Sequence, residues 1–303
     1  MSFLRLVKRN ILVYTRDKAN VFFSLLSMII IILLMSLFLG SMNVDNIINL
    51  LEEYGGSRDL VTDRQNARNL IILWSVAGII VVNSVSITLA MVGNMVEDQE
   101  SNKMSSFLVT PLNRSIFVMA YITAAFVVGV IMCTFTLIIS QILTVLLGGS
   151  LLSLGQIIKV FLLITINVFT FASLGLFMVV FIRSRSAFAG LSTIVGTLVG
   201  FLAAIYIPIG SLPSKVQMVI KCIPLLHGSS LIRSVFSESA LESTFSNCPP
   251  QLIDEYSSVM GITINWNNKP ISSEIKVLFL LTCGIIFIIT SAIILKKRNA
   301  LDR

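Results

Sequence analysis

Charge is scarce in this chain. Of its 303 residues 12% are Asp, Glu, Lys or Arg, against 55% hydrophobic, and the mean hydropathy is +0.93. Soluble domains carry roughly 25% charged residues. So few polar groups cannot clothe a water-facing surface, which excludes an ordinary soluble protein and makes lipid the natural solvent. Acidic side chains are missing from the middle of every long apolar run. Proton- and sodium-driven carriers usually keep ionisable groups or broken helices at the midplane, so the energy for any transport is expected to come from elsewhere. Histidine occurs once, at His227, with no ligating companion at useful spacing. It reads as a satisfied interfacial side chain, and no metal site is expected. There is no GxxxxGK[ST] loop, no GxSxG and no HExxH, so neither ATP hydrolysis nor other enzyme activity is expected in this chain. Four cysteines are present. Cys133 and Cys283 fall inside apolar runs and read as small core residues. Cys222 and Cys248 are a candidate disulfide in a segment expected outside.

What is abundant is long apolar sequence. Six runs reach the roughly 20 residues needed to cross a hydrocarbon core: 21–41, 69–92, 116–147, 157–182, 187–207 and 275–295. Each is expected to be helical, since an open strand would leave backbone groups unpaired in lipid. The fold class is an all-α membrane protein, one domain over 1–303. Its formal net charge of +7 sits mainly at the ends of the apolar runs. No aromatic-basic platform accompanies it, which argues against nucleic acid. Arg5, Lys8, Arg9, Arg16 and Lys18 precede the first run. Lys103 and Arg114 separate the second and third, Arg183 and Arg185 the fourth and fifth. Lys296, Lys297, Arg298 and Arg303 follow the sixth. With six spans these segments share one side, and the excess of positive charge makes it the cytoplasm. The expected address is the cell (plasma) membrane, taken to be bacterial, multi-pass, with both termini cytoplasmic. Met1–Lys18 is not expected to be a cleaved leader.

Three segments do not span. Residues 3–18 place Leu4, Val7, Ile11 and Tyr14 on one stripe, as in an amphipathic helix lying in the inner interface; the plainer reading is a basic topology flank. Residues 97–110 are too polar for lipid, yet Met104, Phe107 and Leu108 form an apolar stripe that Pro111 ends. Glu97, Asp98 and Glu100 stand at the expected start, where a helix dipole favours acids. The stripe is either a docking surface for another protein or packs on the chain's own helix ends. Residues 208–236 are cut by Pro208, Pro213 and Pro224 into pieces too short to cross, as in a hairpin dipping into the outer leaflet or an ordinary interfacial loop. Residues 237–273 are polar and read as a small external excursion.

Within the spans only neutral polar groups remain. Asn83, Ser86 and Asn167 are the candidates to touch a substrate, although most such groups are hydrogen-bond glue between helices. Gly196 and Gly200 form a GxxxG pattern, suited to close helix approach within the chain or between subunits.

The loop from Asp98 to Arg114 reads Asp-Gln-Glu-Ser-Asn-Lys-Met-Ser-Ser-Phe-Leu-Val-Thr-Pro-Leu-Asn-Arg. It resembles the coupling loop of ABC-2 type exporter permeases, with its acidic start, Gly-Thr-Leu-like centre and ending close to Leu-x-Thr-Pro-x-x-Arg. The centre departs from that pattern as Asn102-Lys103-Met104; Asn tolerates a left-handed turn and Met keeps the apolar contact. The order of interfacial helix, six spans, coupling helix and re-entrant hairpin is similar to that family over nearly the whole chain. The resemblance implies a permease subunit paired with a second one, identical or not, and driven by cytoplasmic ABC ATPase subunits that bind ATP and Mg. It implies ATPase docking through Glu97, Asp98, Glu100, Met104, Phe107, Leu108 and Pro111, and a subunit interface at Gly196 and Gly200. The expected cargo is amphiphilic: a drug, antibiotic, peptide or lipid-like molecule moved outward. Two other classes stay open, an ATP-independent channel or secondary carrier and a membrane anchor or sensor that recruits a cytoplasmic partner.

Overall fold

The computed structural model describes residues 3–19, 21–22, 26, 29–30, 40–54, 59–101, 114–267 and 269–301. In chain order the elements are α1 (Phe3–Arg16), α2 (Gly40–Tyr54), α3 (Leu60–Glu100), α4 (Arg114–Leu146), α5 (Leu154–Val179), α6 (Arg185–Leu202) and a 3-10 turn (Ile209–Ser211). There follow α7 (Ser214–Lys221), α8 (Pro224–Thr244), α9 (Pro250–Val259), β1 (Asn265–Trp266), β2 (Lys269–Pro270) and α10 (Ser273–Leu301). The two strands form one antiparallel ladder. Helices α3, α4, α5, α6 and α10 are long and apolar enough to cross a membrane, and α7 with α8 would make a sixth if that bent pair is one span. The expected first span, 21–41, lies for the most part outside the described residues.

Helix α3 is the centre of the bundle. It packs on α2, α4, α5, α6 and α8, and its apolar stretch is almost wholly buried. At 1.5 Å per residue its 41 residues run about 60 Å, twice the roughly 30 Å of a hydrocarbon core. The 69–92 run was therefore only its middle. At its start Asp59 accepts from the Val61 amide and the Thr62 hydroxyl, a side-chain cap on the first turn. At its end the helix passes through Glu97 to Glu100 without a break. This corrects the expectation that these acids open a separate coupling helix: they close α3, at the pole where a helix dipole disfavours negative charge.

Several hydroxyls inside the bundle are satisfied locally. Ser84, Thr88, Thr136, Ser140, Thr144 and Ser173 each donate to a carbonyl three or four residues back, as an apolar solvent requires. Asn83 reaches across instead, its amide donating to Thr136 on α4 at 3.1 Å. Thr170 on α5 donates to the Leu280 carbonyl of α10 at 3.1 Å. Helices α5 and α8 meet closely where Asn167 covers Gly228: a Cβ on that glycine would lie 2.0 Å from Asn167 Oδ1. Gly228→Ala is expected to cost about 1–3 kcal/mol through overpacking, measured by thermal unfolding in detergent. Asn167→Ser should recover most of that loss, and a Gly228→Ala protein as stable as the parent would show that the contact is not tight.

Helix α6 stops at Leu202, short of the expected 207. Ile205 N–H returns to the Gly200 carbonyl at 2.8 Å and Ala204 N–H to Phe201 at 3.0 Å, a helix-ending pair of bonds whose turning residue is normally glycine. Here it is Ala204, at φ 52°, so composition carried no signal for the stop. Helices α7 and α8 then meet at 86° across residues 222–223. Pro224 opens α8 in the first-turn position that proline suits. The segment expected to be a small external excursion holds regular structure: α8 runs on to Thr244, Pro250 opens α9, and the ladder follows. Cys222 is an exposed free thiol, so the Cys222–Cys248 disulfide is not formed.

On α1 the buried residues are Leu6, Val7, Asn10 and Tyr14, while Leu4 is 74% exposed. The amphipathic helix is there, but its inner face is turned from the expected stripe to admit Asn10. The polar junction at the end of α3 explains that turn.

Candidate functional site

Three helices converge on one carboxylate. Asp98, in the last turn of α3, is 4% exposed. Arg9 of α1 pairs with it through both terminal nitrogens, Nη2 donating to Oδ1 at 2.7 Å and Nη1 bonding Oδ2. Nη1 also donates to Asn10 Oδ1 at 3.0 Å. From α4, Tyr121 donates its hydroxyl to Asp98 Oδ2 at 2.5 Å. The forked guanidinium matches a carboxylate in geometry and charge. The carboxylate raises the Arg9 pKa above its ordinary value, against the opposing effect of partial burial. Asp98, one of the acids that the α3 dipole disfavours, is thus held by a cation from another helix.

A second pair sits beside the first. Arg185, the first residue of α6, places Nε 3.2 Å from Glu100 Oε2, and its backbone N–H donates to the same oxygen at 3.4 Å. That carboxylate also faces the positive end of α6. The pair is half exposed and is worth at most about 1 kcal/mol. The two pairs and the Tyr121 bond together join α1, α6 and α4 to the tip of α3, immediately before residues 102–113.

Glu97 points elsewhere. It lines a cleft of about 360 Å³ bounded by Tyr14 on α1 and Asp17 just past it, by Ser86, Gly93 and Asn94 on α3, and by Phe188 and Gly196 on α6. Gly93 permits the closeness of α3 and α6: a Cβ there would lie 2.2 Å from the Phe188 ring.

The candidate residues therefore separate. Ser86, Glu97 and Gly196 share one cleft. Asn83 and Asn167 are not in it: both are buried, and each amide donates within the bundle, Asn83 to Thr136 and Asn167 to the Leu163 carbonyl. Asp98, named for docking, is buried and bonded inside the chain, to Arg9 and Tyr121. Gly196 has open space where a Cβ would be, whereas Gly200 is covered by the Tyr206 ring of the same chain. The glycine pair is split between an open face and an internal contact. Met104, Phe107, Leu108 and Pro111 lie outside the described residues.

Sequence reasoning missed Arg9 and Tyr121 as partners of Asp98. Arg9 was legible only as one of several basic residues, and nothing local distinguishes Tyr121. It also missed Arg233 and Lys276, buried cations on α8 and α10. Arg233 carried a partial signal, a charge between Leu231-Ile232 and Val235-Phe236, whereas Lys276, two residues after Glu274 at the edge of a span, read as an ordinary flanking charge.

A family model for the ABC-2 type transporter matches residues 1–237, from α1 into α8. No curated protein matches the chain.

Proposed function

The chain belongs to the ABC-2 type transporter family, and on that premise we propose that it is the permease subunit of an ATP-driven exporter of amphiphiles. The family makes it a membrane component of an ABC transporter, a multi-pass protein whose role is not itself catalytic. In the proposed reading ATP and Mg are bound by a separate cytoplasmic ATPase, and a second permease subunit completes the assembly. The cargo is a drug, antibiotic, peptide or lipid-like molecule.

The observation that carries this reading is the junction at Asp98. A transporter driven from outside its membrane helices needs a rigid point where force enters. Arg9, Tyr121 and Asp98 bind α1, α4 and α3 into one unit, and Arg185–Glu100 adds α6. Residues 102–113 leave from that unit and return to it at α4. A push on this loop by an ATPase closing on ATP would then move four helices together. Glu97, Ser86 and Gly196 would line an inner cleft open to cargo from the cytoplasm or inner leaflet.

Changing Phe107 and Leu108 together to aspartate is expected to abolish co-purification of the ATPase while the permease still folds in detergent. Retention of the ATPase by that variant would place its docking elsewhere. Transport by purified vesicles over a panel of amphiphiles should require ATP; export without it would favour a secondary carrier.

A further inference from the structure

At the end of the bundle remote from Asp98, one buried cation touches three elements. Arg233 on α8 is 0% exposed. Among the described residues no carboxylate pairs with it. Its Nη2 donates to the Ala204 carbonyl, just past α6, at 2.8 Å, and Nη1 donates to the Met260 carbonyl, just past α9, at 3.5 Å. The guanidinium carbon stands 4.3 Å from the centre of the Trp74 ring on α3. Trp74 in turn donates its indole N–H to the same Met260 carbonyl at 2.8 Å. A cation this deep is costly unless π-faces and carbonyls compensate it, and an ionisable group in a membrane bundle is by default a functional one.

The backbone it holds turns left-handed in both places, at Ala204 and beside Met260 at Gly261, and is strained at Ala204. Ala204 sits at φ 52°, a region that residues with side chains rarely adopt. Gly261, following Met260, is at φ 67°, where a Cβ would come 3.4 Å from Arg233 Nη1. Strained conformations persist only while their surroundings over-determine them, and they mark elements able to switch. Arg233 supplies part of that constraint directly, through the carbonyl of the strained residue. Neighbours on α8 repeat the pattern: Ser229 donates to the Ala203 carbonyl at 3.1 Å and Ser230 to Ile262 at 2.7 Å. Lys276 of α10 donates to Ser230 at 2.9 Å.

We propose that Arg233 is the latch of the outer closure. Engaged, it holds the end of α6 and the turn after α9 against Trp74. In the outward-facing state its bonds to Ala204 and Met260 break, the end of α6 relaxes, and α8 swings with its corner at residues 222–223. The latch rests on the transport reading and adds to it the residue that keeps the outer end shut while cargo loads.

Trp74 is a built-in reporter. The chain has two tryptophans, and the other, Trp266, is 46% exposed and is replaced by phenylalanine. In lipid nanodiscs with the ATPase bound, a non-hydrolysable ATP analogue is expected to shift Trp74 emission to longer wavelength and raise its quenching by acrylamide. Arg233→Met should show that emission and quenching without nucleotide. If Arg233→Met does not fold, Arg233→Lys, which keeps the charge but cannot reach both carbonyls, carries the same comparison. A Trp74 signal indifferent to nucleotide, in a complex that still transports, overturns the latch and leaves the transport reading standing. So does a variant whose Trp74 matches the parent's without nucleotide. If no ATPase associates with the chain, both readings fall.

Discussion

Arg9→Met is expected to destabilise the protein by about 3–5 kcal/mol, the cost of leaving one member of a buried ion pair without its partner. Asp98 is 4% exposed and would lose the guanidinium, and the Tyr121 hydroxyl that still donates to it cannot neutralise a carboxylate. Asp98→Asn should cost less, because the amide oxygen can still accept from Tyr121 and the charge to be solvated is Arg9, which reaches water more easily. The joint replacement Arg9→Met, Asp98→Leu and Tyr121→Phe removes the ion pair and its tyrosine together, leaving Asn10 in place. It should return most of the stability, since apolar packing often replaces a buried pair at little cost. Arg185→Ala offers the contrast: its pair with Glu100 is half exposed, so the loss should stay within about 1 kcal/mol. Chemical or thermal unfolding in a fixed detergent measures all four. A loss below about 1 kcal/mol for Arg9→Met would mean that the junction is solvated and does not tie α1 to the bundle. If the triple variant is stable yet uncouples ATP hydrolysis from transport, the junction serves force transfer rather than folding.

The parts of this protein that were legible in its sequence are those governed by composition over a long window. The apolar runs mark α3, α4, α5, α6 and α10 because lipid imposes one requirement on every residue of a span. Pro224 announced the break before α8 because a proline cannot continue a helix. The ends of helices were less legible, and for separate reasons. Helix α3 overran its apolar middle at both ends, because polar residues make good helix when other helices supply partners, as Arg9 and Arg185 do for Asp98 and Glu100. Helix α6 ended early on an alanine in a glycine conformation, which no propensity scale foresees. The site divided in the same way. The loop at 102–113 could be singled out from its own residues, but the junction that precedes it in the chain joins residues 9, 98 and 121. Pairings across such sequence separation depend on packing, and one sequence does not display them. Arg233 was visible as a charge flanked by apolar residues, but its carbonyl and aromatic partners were not.

Trp74→Ala is expected to be the most damaging single truncation at the other end of the bundle, at about 3–5 kcal/mol. The side chain is among the largest fully buried ones, and its loss does three things at once. It opens a cavity in α3 where α8 packs, frees one donor from the Met260 carbonyl, and takes away the π-face under Arg233. Trp74→Phe separates these contributions. Phenylalanine keeps most of the volume and a weaker π-face but has no N–H, so it should cost only about 1–2 kcal/mol. The Met260 carbonyl would then rest on Arg233 Nη1 alone, at 3.5 Å. Adding Arg233→Met to each variant gives a double-mutant cycle, the direct measure of whether tryptophan and arginine act together. Coupling of about 0.5 kcal/mol or more is expected for Trp74→Ala, since the residues touch, and less for Trp74→Phe. Strict additivity in both cycles would show that Arg233 is held by its carbonyls alone. Trp74 would then be packing that happens to lie beneath it.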